Sequence, residues 1–224
     1  MAKIIKITES QYEMLEATYP DSFNIKEFAS LTSFAARKRY ADQRLTYLAG
    51  GTGRLVYHID DVTVLKLAKN QKGVAQNWTE IRQWNQNDHI MATVHEYSED
   101  GLWLEMEKAR KAKAADFKKI VGFNFKDIAQ LLQYREEEIK GRGKNIFTPP
   151  DNAEDLYEEE FYSQLENVVF DWGLKSGDLA RINSYGVVKR SGEEEIVLTD
   201  YGLDEHVWKT HYAPKKQAWQ KHFY

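Results

Sequence analysis

Apolar residues recur at helical spacing in the first stretch of the chain. Tyr12, Leu15 and Tyr19 follow Thr8, a helix-capping residue type, with Gln11 three positions on as in a capping box. Pro20-Asp21 marks a turn, and Asn24 opens a second helical stretch carrying Ile25, Phe28 and Leu31. From residue 46 the pattern changes. Leu45 to Leu48 lead into Gly50-Gly51-Thr52-Gly53, followed by Leu55-Val56-Tyr57-His58-Ile59, then Asp60-Asp61, then Val62-Thr63-Val64-Leu65-Lys66-Leu67. Two β-rich runs around a two-residue acidic turn, behind a Gly-rich turn, predict a three-stranded antiparallel meander. The spacing next predicts a helix over 74–87 with Ile81 and Trp84 on one face. Strands at Thr93–Tyr97 and Leu102–Met106, turned by Ser98-Glu99-Asp100-Gly101, complete a five-stranded unit.

Residues 107–170 read as helical. Ile128, Leu131 and Leu132 belong to a helix ending near Ile139, and Gly141, Gly143 and Pro149-Pro150 break the chain into a loop. Leu156, Tyr157, Phe161, Leu165, Val168 and Val169 then return at helical spacing. Tyr185–Lys189 and Glu195–Thr199 read as a hairpin around Ser191-Gly192. Val207, Trp208, Tyr212 and Trp219 mark a short helix and a tail. The organisation expected is an amphipathic extension over 1–45 that packs on the main domain, a sheet unit over 46–109, and a helical unit with hairpins over 110–224.

Composition narrows the chemistry. The chain has 224 residues, 42% of them hydrophobic, enough for a sizeable core. The net charge of −4 argues against binding nucleic acid through bulk charge. The absence of cysteine removes disulfides, thiolate metal sites and cysteine nucleophiles. No apolar run approaches 18 residues and Met1–Lys6 lacks a secretory core, so no membrane partner and a cytoplasmic location are expected. His58, His89, His95, His206, His211 and His222 form no His-Glu-x-x-His, and no Gly-x-Ser-x-Gly occurs. Lys108, Arg110, Lys111, Lys113, Lys118 and Lys119 form a basic stretch. It is read as a solvated helix face balanced by Glu136–Glu138, Glu158–Glu160 and Glu193–Glu195, rather than as a nucleic-acid surface.

Several positions suit a single cleft. Gly50, Gly51 and Gly53 let backbone amides approach an anion, although a Gly-rich hairpin turn is the commoner use. The turn is not a Walker A loop, and a strand rather than a helix follows it. Lys66 lies on a strand beside that turn, within reach of phosphates, and Glu80 on the next helix can pair with it and aim it. Asp178 and Asn183 share one loop: the aspartate can orient or deprotonate a hydroxyl while the asparagine carbonyl binds Mg²⁺. Asp200 ends the run Ile196-Val197-Leu198-Thr199 and precedes Tyr201-Gly202, a good position for a Mg²⁺ ligand. Singly, each has a plain structural use as a surface lysine, a helix glutamate, a capped turn or a strand stop.

In this order, the Gly-rich hairpin, strand lysine, helix glutamate, Asp-x4-Asn and Asp-aromatic-Gly resemble the protein-kinase-like superfamily. Gly177-Asp178-Leu179 with Asn183 is closer to the loop of aminoglycoside and choline kinases than to that of protein kinases. Val64–Asn70, with Gly73, Ala75, Gln76, Asn77 and Glu80, is also similar to small kinase-like proteins of bacteriophages, which implies a host cytoplasm. The resemblance implies a two-lobed α+β fold with a five-stranded antiparallel N-lobe and a truncated helical C-lobe. It implies that Gly50, Gly51 and Gly53 cover ATP phosphates, and that Lys66 contacts them while paired with Glu80. Met106 would be the gatekeeper and Glu107–Ala109 the hinge facing adenine. Asp178 would be the catalytic aspartate, with Asn183 and Asp200 the Mg²⁺ ligands.

The departures are specific. Leu48 holds the first glycine position, Ser176 replaces a histidine, and Tyr201 replaces a phenylalanine. Ala180 stands where protein kinases carry a lysine, with Arg181 next to it. Only Leu203–Tyr224 follow the Asp200-Tyr201-Gly202 triplet, without an Ala-Pro-Glu. The implied activity is an ATP- and Mg²⁺-dependent transfer of a phosphoryl group to a hydroxyl of a small-molecule or protein acceptor. The alternative is a kinase-fold binding module, weak or inactive in catalysis, for a nucleotide or a protein partner.

Overall fold

The computed structural model describes residues 22–86, 89–140 and 147–213. The helix expected behind Thr8, the Gly141–Gly143 part of the central loop and the tail around Trp219 lie outside them. Helices α1 (Ile25–Ser30) and α2 (Phe34–Arg44) come first, and the Asn24 and Ser33 side chains cap their first turns. The meander follows as β1 (Thr46–Gly50), β2 (Arg54–His58) and β3 (Thr63–Ala68). Helix α3 (Gln71–Trp84) starts three residues earlier than the apolar periodicity suggests, because the Asn70 side chain accepts from the Gly73 amide and caps it there. Strands β4 (Val94–Tyr97) and β5 (Trp103–Glu107) complete an antiparallel sheet in the order β1-β2-β3-β5-β4.

Alternation along β3 decides what each face of this sheet does. Leu65 and Leu67 join Phe28, Tyr40, Ala41 and Tyr57 in one buried cluster, so α1 and α2 cover the outer face. Val64, with Leu104 and Met106 on β5, turns to the opposite face and the larger core shared with the helical part. Phe28 is fully buried. Burying a side chain of that size contributes about 1.5–3 kcal/mol, and Tyr40 adds a polar tie to α1 by donating to Glu27 Oε2 at 2.7 Å.

The expectation of continuous helix after residue 107 fails at its start. Arg110–Lys111 form a short strand, β6, paired to β7 (Tyr185–Arg190), which pairs with β8 (Glu193–Leu198) in a second sheet. Helical periodicity is no guide here, since Arg110 and Lys111 are held by Val187 and Gly186 of a distant strand rather than by each other. Helices α4 (Ala114–Ile120), α5 (Phe125–Lys140), α6 (Ala153–Tyr157) and α7 (Glu160–Phe170) then form the helical lobe. The one-turn α8 (Ser176–Leu179) follows, and α9 (Glu205–His211) comes after β8. The β7–β8 turn has Ser191 at φ 51° and Gly192 at φ 93°, the left-handed pair that a two-residue hairpin of this twist requires. The architecture is α+β, with a five-stranded antiparallel sheet, a smaller three-stranded sheet and helices.

Candidate active site

Lys66 and Glu80 face each other across the inner face of the sheet. Lys66 Nζ donates to both Glu80 carboxylate oxygens at 2.9 Å and to the Thr199 carbonyl at 2.7 Å. An ammonium has three donors, so all three are engaged. Burial pushes the Lys66 pKa below its ordinary value, with Glu80 opposing the shift.

A third charged residue, absent from the sequence reading, stands beside them. Arg54 Nη1 lies 2.8 Å from Glu80 Oε2, and Arg54 Nη2 lies 2.8 Å from Asp200 Oδ1. The Arg54 side chain is 9% exposed, whereas the Asp200 side chain is 65% exposed and faces solvent. Burial acts against the charge on Arg54, but Glu80 and Asp200 outweigh it and raise its pKa. Desolvation by the neighbouring elements acts against ionised Asp200 in spite of its open face, and Arg54 and Lys66 together hold its carboxyl below the usual range. One signal in the sequence could have found Arg54. It shares a strand face with Val56, and Val56 pairs with Lys66, so alternation aims an arginine where an apolar residue would be expected.

The remaining acceptors reach the same region through backbone stitching. Ser184 Oγ donates to the Asp178 carbonyl at 2.7 Å, and the Ser184 carbonyl accepts from the Thr199 amide at 2.8 Å and the Asp200 amide at 3.3 Å. Ser184 thus ties the loop bearing Asp178 and Asn183 to the turn bearing Asp200. Asn183 is exposed. Partial burial raises the Asp178 pKa; Arg181 opposes that rise and Asp200 adds to it. Arg181 Nη1 lies 3.3 Å from Asp178 Oδ1, so the arginine beside Ala180 turns toward the loop's aspartate. Ser176, by contrast, is buried and bonds Glu136. The Tyr201 hydroxyl is used to donate to the Ala92 carbonyl at 2.8 Å, anchoring the Asp-Tyr-Gly turn.

The glycine hairpin rests on α3. The Gly53 carbonyl accepts from the Lys69 amide at 2.8 Å, and the Thr52 carbonyl from Asn70 Nδ2 at 3.0 Å. A Cβ on Gly73 would sit 2.1 Å from the Gly53 carbonyl oxygen, so only glycine fits in the first turn of that helix. Gly50 and Gly51 lie at the exposed end. In the segment between the lobes, Met106 is buried in the main core, level with Val64 and Val94. The Glu107 carboxylate is taken by Arg190 Nη2 at 2.6 Å and the Thr93 amide at 3.1 Å. Its side chain is therefore turned to the second sheet. Ala109 packs against β7: a Cβ added to Gly186 would come within 2.3 Å of its methyl.

The donor set suits a hard divalent cation that keeps most of its ligands from phosphate and water. Asp200 supplies an exposed carboxylate, and Asn183 an exposed amide. Among the described residues no group of three or more histidines and carboxylates gathers into an all-protein cage.

No protein-family model and no curated protein sequence matches the chain. Solved structures do, distantly. A ternary complex of streptomycin, ATP and APH(2")-IIa is 11% identical and covers 89% of this chain and 72% of that one, with a TM-score of 0.32. The GDP complex of aminoglycoside 2'-phosphotransferase-IIIa is 12% identical, with coverage of 77% and 73% and a TM-score of 0.37. SAICAR synthase from Saccharomyces cerevisiae, complexed with SAICAR, is 13% identical, with coverage of 70% and 73% and a TM-score of 0.32. These are faint likenesses of fold, and the chemistry of the cleft stands on this chain's own residues.

Proposed function

We propose that the cleft binds a nucleoside triphosphate with Mg²⁺ and transfers its terminal phosphoryl group to a hydroxyl of a small molecule. The observation that carries this reading is the Lys66–Glu80 ion pair at 2.9 Å with Asp200 bridged to it through Arg54. In this reading Lys66, held by Glu80, meets the α- and β-phosphates, with Gly50, Gly51 and Gly53 above them. Met106, Glu107 and Ala109 border the base, Glu107 through its backbone because its carboxylate is occupied. Asp200 and Asn183 hold Mg²⁺, whose chemistry is to neutralise charge developing on the phosphate oxygens. Asp178 accepts the hydroxyl proton as the acceptor oxygen bonds to phosphorus and the bond from phosphorus to the β–γ bridging oxygen breaks, releasing the diphosphate. Its raised pKa makes it a better base than an ordinary aspartate.

A second reading has one observation in its favour. All three Lys66 donors and one Asp200 oxygen are already engaged inside the protein, which suits a nucleotide-free binding module. Titration with ATP, with and without Mg²⁺, followed by thermal shift and by ³¹P NMR of the products, separates the two. The enzyme reading expects Mg²⁺-dependent stabilisation and slow formation of ADP. Asp178→Asn should keep the nucleotide affinity and lower turnover by about 10²–10⁴-fold. Stabilisation without turnover in the parent leaves the binding module, and no stabilisation removes nucleotide from both.

A further inference from the structure

Arg54 is a buried cation at the junction of the two halves of the cleft, and its partners are unequal. Glu80 would keep a cation if Arg54 left, since Lys66 bonds both its oxygens. Among the ion pairs of the described residues, Asp200 has Arg54 alone. The Asp200 carboxylate is also the solvent-facing member of the cluster. The Arg54–Asp200 contact is therefore the one a ligand entering the cleft can break at least cost. A phosphate chain is the ligand class that can do so, because two oxygens of one tetrahedral phosphate can accept from two N–H groups of the planar guanidinium in exchange for a single carboxylate oxygen. Lys66 cannot make a new contact without giving up Thr199 or Glu80, whereas Arg54 needs only to release Asp200.

We propose that Arg54 is the resting counter-ion of Asp200 and a phosphate ligand of the nucleotide-bound state, so that nucleotide binding frees Asp200 for the divalent ion. This rests on the nucleotide reading above. It makes nucleotide and metal binding cooperative: without nucleotide, Arg54 and a divalent cation compete for one carboxylate; with nucleotide, they do not. By reciprocity, metal raises nucleotide affinity by the same factor.

The test uses the full chain and two direct binding measurements. Free Mn²⁺ is counted by electron paramagnetic resonance without nucleotide, Mn²⁺ being a hard-oxygen ion like Mg²⁺. ADP binding in the presence of EDTA is measured by calorimetry. Arg54→Gln should raise the Mn²⁺ affinity about threefold or more and lower the metal-free ADP affinity about tenfold, the size of one lost charge-assisted contact. Unchanged values for both, or weaker Mn²⁺ binding, overturn the proposal. If Arg54→Gln does not fold, Asp200→Asn serves instead. It should lose Mn²⁺ binding yet bind metal-free ADP more tightly than the parent, because Arg54 is released. Metal-free ADP affinity no higher than the parent's in that variant also overturns the proposal. A parent that binds no nucleotide with Mg²⁺ present sinks the nucleotide reading together with this one. A parent that binds nucleotide while Arg54→Gln matches it sinks this one alone.

Discussion

Two clusters in this protein hold the same charges, two cations and two carboxylates, in opposite surroundings. Arg54, Lys66, Glu80 and Asp200 lie at the cleft, three of them buried. Arg110, Lys119, Asp116 and Glu194 lie on the surface, where Arg110 holds Asp116 at 2.7 and 2.8 Å and Glu194 at 3.1 Å, and Lys119 holds Glu194 at 2.5 Å. By geometry alone the surface cluster looks the stronger, since it contains a two-pronged arginine–carboxylate pair. Water reverses the ranking. The surface groups have good alternative partners in solvent and are screened by salt. The three buried cleft groups, Arg54, Lys66 and Glu80, have none, so each depends on the others being present. Two members of the basic stretch, Arg110 and Lys119, pair with Asp116 and Glu194 in this cluster.

The comparison breaks most visibly at Glu80. Glu80→Ala leaves Lys66 and Arg54 buried with one acceptor carboxylate fewer, and the expected cost is about 3–5 kcal/mol in urea unfolding. A loss no larger than that of an exposed mutant would mean that water reaches the cluster and the contrast is false.

The next effect is on pH. Asp200 has a lowered pKa in the folded protein, so its stabilisation is complete above the unfolded aspartate value of about 3.9 and is lost as pH falls through the folded value. Asp178 has a raised pKa, so its contribution is present below about 3.9 and is lost as pH rises through the folded value. Asp200→Asn should therefore flatten the acid limb of stability, and Asp178→Asn should not. Carboxyl carbon NMR titration checks the two signs directly.

A smaller effect sharpens the picture within the site. Arg181 opposes the rise in the Asp178 pKa, and Arg181→Gln should move the acid limb of turnover to higher pH, by less than one unit because Arg181 is largely exposed. A limb that stays put would detach Asp178 from the rate. The smallest effect is at the surface. Glu194→Ala should leave the urea midpoint unchanged in 1 M NaCl and barely move it in low salt, and a large loss at both would put the surface cluster on a par with the cleft.

Much of the site was legible because it depends on local pattern. The strand run ending in Lys66, the helix placing Glu80 and the Asp200-Tyr201-Gly202 turn each lie within a stretch whose periodicity is self-contained. The antiparallel sheet followed from the same patterns, and Asn24 was readable as a cap because a cap satisfies amides only a few residues away. Strand β6 was not legible, since its hydrogen bonds come from β7 and leave no period in residues 110–111. Nor were the destinations of Glu107 and Arg181, long side chains whose partners are chosen by proximity in space.

Arg54 shows where the division falls. Residue order alone determines that it shares a strand face with Val56, and so that it points inward. Only the packing of β2 against α3 and the Asp200 turn, which lies 146 residues away, decides that the inward direction leads to two carboxylates rather than into an apolar core. Strand and helix patterns arise from interactions between near neighbours, which the sequence lists in order. The partner of a buried charge is set by the closure of the whole chain, and in a low-dielectric interior that closure determines what the charge can do.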